Sequence, residues 1–569
     1  MNPEKYYYVS LQYSAIQKTV LRHGRLWSIA GISQILSELN ELRLPDIVRK
    51  CDRNAAVLVA GGGKFTARFD DKPTAETARN ELMKAVATAM PMLEFQVSQV
   101  VQADTLEQAK QFKKPDKEGE KKSYYPGLID ELNEQKRHFR GYGVTFNPHF
   151  QVCDECGEYP ADKVCIKDLY QENGKKKSLC LCSTCSAAWD KARAKASKTG
   201  KQGKGSSTIQ RIYETYLELT AQSECLIPRD FQDMFANQEG DVEGKRMAVW
   251  FSDLNNMNSK VPIWLSQSEE EVREIFETVK SANVQILAET LRQVFPSQKM
   301  VKRKERTERG KTELIYLPFR LVVAGGDDLC VVMPEEYILN FALTLSQTTC
   351  KRIIHLVKEY EQSNPGKRHP LKPEWLLEQW EAYRKRGGTD SKEPGSYSFG
   401  GAFIVTPLHT PFIKIHELGE SLMKKAKEQT GRKDNSVNWR IMAVEEAPDL
   451  SDHPKFDKPL FIDKIPPDDR EKHPLSLRGY LAMRDFYSSG RQAISGSQLQ
   501  QIMGKIIEYD SDSDRIEEWM KTRVFGGREQ CYGAILVDSR FRTPDKRFDC
   551  SRLATLLELI TIGGEGLYE

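Results

Sequence analysis

The 569-residue chain has no run that approaches 18 consecutive apolar residues, which leaves no candidate membrane-spanning helix. Its first residues, MNPEKYYYVSLQY, do not follow the charged, apolar, small-residue layout of a signal peptide, so a cytoplasmic protein without membrane association is expected. Neither sign of charge is in excess: 84 Lys and Arg against 81 Asp and Glu give a net charge of +3. Global basicity therefore says nothing about nucleic acid. None of the 9 histidines precedes an aspartate, which excludes a His-Asp metal phosphohydrolase pair. A GxxxxGK[ST] phosphate loop is also missing. The 12 cysteines of a cytoplasmic chain read as thiols and metal ligands rather than disulfides.

What is present is an acidic tetrad, Gly325-Gly326-Asp327-Asp328, between Leu321-Val322-Val323-Ala324 and Leu329-Cys330-Val331-Val332-Met333. Two apolar runs joined by glycines predict a hairpin with paired carboxylates at its tip. Adjacent carboxylates repel unless a cation sits between them, and a divalent metal carrying nucleotide phosphates is the natural one. A surface turn would also use Gly and Asp. Asp253, at the end of a predicted strand in Phe251-Ser252-Asp253-Leu254-Asn255-Asn256-Met257, supplies the third carboxylate that a two-metal site needs. The backbone amides of Leu254, Asn255 and Asn256, turning into a helix, are candidate receivers of triphosphate oxygens. Lys427, rather than Lys424 or Lys425 on the same predicted helix, is the candidate phosphate contact, against the plainer reading of a solvated helix face. His409 and His416 read as packing or surface residues.

The hairpin belongs to a pattern that occurs twice. Tyr6 to Tyr13, a helix over about Ala15 to Leu42, strands Ala55 to Ala60 and Lys64 to Phe69 around Gly61-Gly62-Gly63, a helix over Thr74 to Met90, and a strand through Leu93, Phe95 and Val97 give strand, helix, hairpin, helix, strand. That order is ferredoxin-like or palm-like. It recurs as Arg246 to Phe251, a helix over Ser268 to Val294 with a Ser268/Glu271 capping box, the hairpin of Leu314 to Ala324 and Leu329 to Met333, a helix over Pro334 to Glu361, a strand over Gly400 to Val405 and a closing helix over Ile413 to Glu428. The triple glycine stands where the acidic tetrad stands. Between the copies, Cys153-x-x-Cys156 and Cys182-x-x-Cys185 give two CxxC pairs, the spacing of a four-thiolate structural Zn²⁺ site, with reduced thiols or a redox pair as the alternative. Cys165 and Cys180 lie near enough to compete as ligands. The basic stretch Lys191 to Lys204 reads either as a solvated linker or as a contact to RNA backbone.

The expected organisation is an α+β multidomain chain: a first palm over 1–105, a polar connector over 106–150, a zinc-binding module and basic loop over 151–207, a second palm over 208–445, and a C-terminal helical domain over 446–569.

With these motifs in place, the chain resembles the large cyclase/polymerase subunit of type III CRISPR–Cas effector complexes. The matching residues are the paired palms, GGGKF at Gly61 to Phe65, the CxxC pairs, Asp253 with Asn256-Met257, GGDD at Gly325 to Asp328, and Phe399 to Leu408 followed by Ala426-Lys427. The motifs cover about residues 1 to 430. The resemblance implies that the second palm uses ATP and two Mg²⁺ or Mn²⁺ ions to make cyclic oligoadenylate messengers in antiviral defence. The trigger would be target RNA, bound by a complex of further protein subunits and a guide crRNA. Asp253 and Asp327 would be metal ligands, and Asp328 a ligand or a positioner of the attacking hydroxyl. Gly325 and Gly326 would adjoin the nucleotide, and Gly61, Gly62 and Gly63 of a non-catalytic first palm would adjoin an acceptor nucleotide. The His-Asp DNase domain of many family members is not expected, and Asn255 stands where an acid is common. Transfer of AMP to S-adenosylmethionine, a scaffold subunit with an inactive palm, and a stand-alone diguanylate-cyclase-like enzyme are the alternatives.

Overall fold

The computed structural model describes residues 6–14, 20, 25–61, 63–91, 93–110, 132, 151–157, 159–161, 166–170, 176–192, 195–197, 206–222, 224–235, 244–307, 310–386, 393–408, 410–442, 458–470, 473, 475–488, 493–525 and 530–562. Gly62, Cys165, His409, most of the connector over 106–150 and residues 193–194 and 198–204 of the basic stretch lie outside them. The fold is multidomain and mixes helices with strands. No helix among the described residues is long and apolar enough to cross a membrane.

In the first part of the chain, strand β1 (Tyr6–Ser14) is followed by helix α1 (Leu26–Glu38), strands β2 (Ala56–Gly61) and β3 (Lys64–Phe69), a helix over Lys72–Ala89 and strand β4 (Glu94–Val97). The sheet order is β2-β3-β1-β4. The start of the helix expected over 15–42 lies largely outside the described residues, and from Leu26 the helix runs on past 42. It passes at Leu39–Arg43 into a π-helical turn and resumes over Leu44–Cys51. Pro45, in the first turn of the resumed helix, has no N–H to give the preceding turn and disfavours an unbroken α ladder.

The same order returns. Strand β5 (Arg246–Leu254) leads to helix α2 (Met257–Leu265) and helix α3 (Glu269–Val294), then strands β6 (Arg320–Gly325) and β7 (Asp328–Pro334), a helix over Ile338–Ser363, strand β8 (Phe399–Pro407), helix α4 (Phe412–Gln429), and two further strands, β9 (Ser436–Ile441) and β10 (Leu460–Phe461). The order of this sheet is β6-β7-β5-β8-β9-β10, so its first four strands repeat the first sheet. The two hairpins also share a register shift, between Val57 and Val59 in one and between Leu321 and Val323 in the other. Ser268 caps α3 with the reciprocal Glu271 bonds. The strand expected from Leu314 to Ala324 is broken. Gly310–Tyr316 belongs to a separate four-stranded sheet, and the hairpin strand begins at Arg320. Pro318 lies between them and cannot donate to a ladder.

Both faces of β5 are buried. Met247, Val249 and Phe251 join a core shared with the first sheet and the cysteine module, whereas Ala248 and Trp250 join the core that continues into the C-terminal helices. The period of two of a strand sends alternate side chains to opposite cores. The C-terminal helices are Leu477–Tyr487, Gly496–Glu508, Ser513–Phe525, Gln530–Val537 and Cys550–Ile560, the fourth of them unexpected from the sequence.

The cysteine module docks on α1 through its helix over Ser183–Ala192. Trp27 and Trp189 meet edge to face at 4.9 Å. Gly31 lies against the backbone of Ala188, where a Cβ would overlap the carbonyl group. Gly31→Ala should therefore destabilise this packing by about 1–3 kcal/mol. Chemical denaturation would measure the loss, and limited proteolysis should show earlier cleavage around 151–192. Unchanged stability and cleavage would mean that the helices move apart at no cost.

Candidate active site

The acidic residues reach one place because two strand pairings bring them there. In the β5–β7 ladder Asp253 lies opposite Asp328, and Gly325 pairs with Asp328 to close the hairpin. Gly326 adopts φ 64°, a left-handed conformation that glycine takes at no steric cost. Ligand oxygens of Asp253, Asp327 and Asp328 lie within 4.8 Å of one another. Asp253 Oδ2 accepts from the ammonium of Lys427, but its buried Oδ1 has no hydrogen-bond donor among the described residues. An acceptor left bare beside two further carboxylates suits a hard divalent cation with oxygen ligands.

Crowding decides the charge state. Burial, then the charge of Asp253, pushes Asp327 up to about 6. Burial, then Asp327 and Asp253, pushes Asp328 up to about 8. Asp328 as a residue is open to solvent, yet its carboxyl group stands on the floor of a cleft, where protein replaces much of the water. Lys427 opposes both shifts. Its own Nζ also lies 3.4 Å from the Leu254 carbonyl, and its stem crosses Gly400, where a Cβ would overlap it. The predicted phosphate contact is therefore a buried partner of Asp253 in this structure.

The segment after Asp253 is not a free row of amides. The Leu254 N–H donates to the Asp327 carbonyl at 3.2 Å, and the Asn255 N–H donates to the Ser398 carbonyl at 2.7 Å. Both are spent on holding the turn, which corrects the expectation that they receive phosphate. Asn256, at φ 57°, heads α2. Among the described residues the amides of Asn256, Met257 and Asn258 have no internal acceptor, so the anion-receiving end of the helix begins one residue later than Asn255. The Asn255 side chain is fully buried and donates to Ser398 Oγ at 2.9 Å, so it is a structural residue. Lys260 was not singled out from sequence. It is fully buried, donates to the Asn255 carbonyl at 2.7 Å and the Ser396 carbonyl at 2.9 Å, and is pushed down to about 7 by burial and by Lys427. Nothing in its spacing distinguishes it from a surface lysine.

The first hairpin presents the same scaffold with other chemistry. Gly61 pairs with Lys64 as Gly325 pairs with Asp328, and Gln12 lies opposite Lys64 as Asp253 lies opposite Asp328. Gln12, Gly63 and Lys64 thus replace the three acids. A cleft of about 1500 Å³ is walled by both hairpins, including Gly61 and Lys64 on one side and Gly325 to Asp328 on the other.

The four cysteines Cys153, Cys156, Cys182 and Cys185 converge, with sulfur atoms within 4.8 Å of one another. The Cys185 N–H points to Cys182 Sγ at 3.5 Å, a contact that favours a thiolate. Hydrogen bonding from Cys156, Cys182 and Cys185 drives the Cys153 thiol far below its usual range, and Cys182 and Cys185 are pushed up in turn by Cys153. Four such donors fit a tetrahedral metal that deprotonates them. Cys180 is outside the cluster.

No protein-family model and no curated protein matches the chain. Among solved structures, a Csm1–Csm4 cassette in complex with cA3 is similar with a TM-score of 0.46 and 10% identity, over 99% of this chain and 70% of that one. Csm1 in T. onnurineus gives a TM-score of 0.45 and 12% identity, over 98% and 69%. A Csm1–Csm4 subcomplex in the type III-A CRISPR-Csm interference complex gives 0.44 and 10%, over 98% and 69%. These TM-scores lie below 0.5, so the site is read from its own residues.

The raised carboxyl groups bind protons more tightly when folded than when unfolded. Their repulsion therefore costs stability progressively as pH rises from about 4 through 8 in the metal-free protein. Asp328→Asn should raise the metal-free Tm at pH 8 by on the order of 1–3 °C and change it little at pH 5. Mn²⁺ should stabilise the wild-type chain more at pH 8 than at pH 5.5, and the variant at neither. Differential scanning calorimetry measures both, and equal metal stabilisation of the two proteins would exclude Asp328 as a ligand.

Proposed function

We propose that the chain is a metal-dependent nucleotidyltransferase that uses ATP, working as the large subunit of a type III CRISPR effector complex and making a cyclic oligoadenylate messenger when target RNA binds. The single observation that carries the chemistry is the convergence of Asp253, Asp327 and Asp328, with the bare Asp253 Oδ1 among them, beside a cleft walled by both hairpins. The motif resemblance supports the choice of ATP, of the assembly with other protein subunits, and of guide crRNA and target RNA as partners.

In this reading Asp253, Asp327 and Asp328 hold two Mg²⁺ or Mn²⁺ ions. Such ions polarise the α-phosphate and ease ionisation of a 3′-hydroxyl. The chain's own residues do the rest. The 3′-hydroxyl gives its proton to water in the cleft, its oxygen forms a bond to the α-phosphorus, the bond to the bridging oxygen breaks, and pyrophosphate leaves with the electron pair. Asn256, Met257 and Asn258 offer their amides to triphosphate oxygens at the head of α2. Lys427 holds Asp253 in place by a charge-assisted bond and keeps a positive charge beneath the nucleotide. The glycine turn at Gly325 and Gly326 lets backbone approach the nucleotide closely. The first hairpin, whose Gly61 and Lys64 line the cleft, faces the acceptor nucleotide and contributes no carboxylate. A structural Zn²⁺ in the four-cysteine cluster fixes the module against α1.

The complex, reconstituted with guide RNA and supplied with ATP and Mg²⁺ or Mn²⁺, should form an adenylate product only with complementary RNA. Asp327→Ala with Asp328→Ala should abolish it, a loss of at least about 10³-fold, while assembly stays intact. Mass spectrometry of reactions with and without S-adenosylmethionine identifies the acceptor. Absence of any product from an intact wild-type complex would leave a scaffold role in its place.

A further inference from the structure

The acidic turn is gripped from outside its own hairpin. The Asn283 Nδ2 donates to the Gly326 carbonyl at 2.9 Å, and its Oδ1 accepts from the Tyr397 hydroxyl. Tyr397 is itself buried, one residue before Ser398, whose carbonyl receives the Asn255 amide. The next carbonyl of the turn, that of Asp327, is bound by the Leu254 N–H. Two successive carbonyls at the tip are thus tied back to α3 and to the end of β5, while the Asp327 and Asp328 side chains face the cleft. The two bonds fix the orientation of the Asn283 amide at the edge of the cleft.

Asn283 sits on α3, which is anchored at two other points, once to the first sheet and once to the π-helical turn Leu39–Arg43. Glu269, the first residue of α3, accepts from the Tyr8 hydroxyl at 2.6 Å and from Arg68. Lys280, three residues before Asn283, pairs with Glu41 at 2.8 Å. The helix therefore refers the height of the acidic turn to the first sheet, which forms the opposite wall of the cleft.

The structure assigns Asn283, oriented by Tyr397, as a positioning residue that holds the Gly325 to Asp328 turn in the geometry required for metal binding; this rests on the metal site proposed above. A turn released from Asn283 keeps its carboxylates but loses the fixed direction in which they converge. Metal affinity and turnover fall together, and the apparent KM for ATP does not follow.

The test is Mn²⁺ binding to the full chain, followed by electron paramagnetic resonance, with the Asp327→Ala, Asp328→Ala double variant defining background. Asn283→Ala should weaken specific Mn²⁺ binding by about 10-fold. Tyr397→Phe, which keeps the Asn283–Gly326 bond and the aromatic ring, should weaken it by about 3-fold at an unchanged fold by calorimetry. In the assembled complex both should lower kcat and raise the half-saturating Mn²⁺ concentration, with KM for ATP within about 2-fold. If both variants bind Mn²⁺ as the wild type does while the double variant does not, the positioning role is overturned and the metal site stands. If wild type and double variant bind alike, the metal site fails and the positioning role fails with it. A rise in KM for ATP alone would make Asn283 a substrate contact and overturn the assignment. Should Asn283→Ala fail to fold, Tyr397→Phe carries the same comparison.

Discussion

Mutual repulsion among three carboxylates within 4.8 Å is the constraint around which the second sheet is arranged. Strand pairing forces the approach, since Asp253 cannot leave Asp328 without unzipping the ladder. Relief comes from below, where Lys427 crosses Gly400 to reach Asp253, and from proton uptake at Asp327 and Asp328. Backbone bonds from Leu254 and Asn255 hold the turn while this strain is carried. Remove the acids and none of this apparatus is needed. The first hairpin shows that case: Gln12, Gly63 and Lys64 occupy the matching positions on the same strand order and bulge.

The cleft follows from placing two copies of one topology face to face. Each hairpin tip lines the cleft, and α3 reaches the first part of the chain through Glu269 on Tyr8 of the first sheet and Lys280 on Glu41 of the π-helical turn. A site shared between two walls depends on their spacing, and spacing is a property of the interface rather than of either sheet. The core that continues from the first sheet through the cysteine module to Phe251, Val332 and Ile404 has the same effect, because it packs the back of the acidic sheet against both.

Much of this was legible in the residues. The two glycine hairpins, the capping box at Ser268 and Glu271, and the strand-end position of Asp253 are local signals, and local signals survive folding. The CxxC pairs were legible for the same reason, since two residues between cysteines already places both sulfurs on one ion. What escaped was nonlocal. Asn283 is an ordinary polar position on a long helix until Gly326 is brought beside it, 43 residues later in sequence. Lys260 reads as a solvent lysine until Asn255 and Ser396 close over it. The amides of Leu254 and Asn255 read as free until strand β8 supplies an acceptor at Ser398. The break at Pro318 was visible as a residue, but an apolar run on both sides masked it.

The two candidate metal clusters differ in their access to solvent. Cys153, Cys182 and Cys185 are 1%, 5% and 0% exposed and belong to a hydrophobic core, whereas Asp328 opens on the cleft. An ion bound by the thiolates would be shielded by the packing of the module on helix α1, with Cys156 as its one partly exposed ligand. An ion bound by the carboxylates would face the open cleft and the surrounding solution. Loss of the first ion would loosen a module on which α1 packs, whereas loss of the second would leave the fold in place and only the proposed chemistry silent.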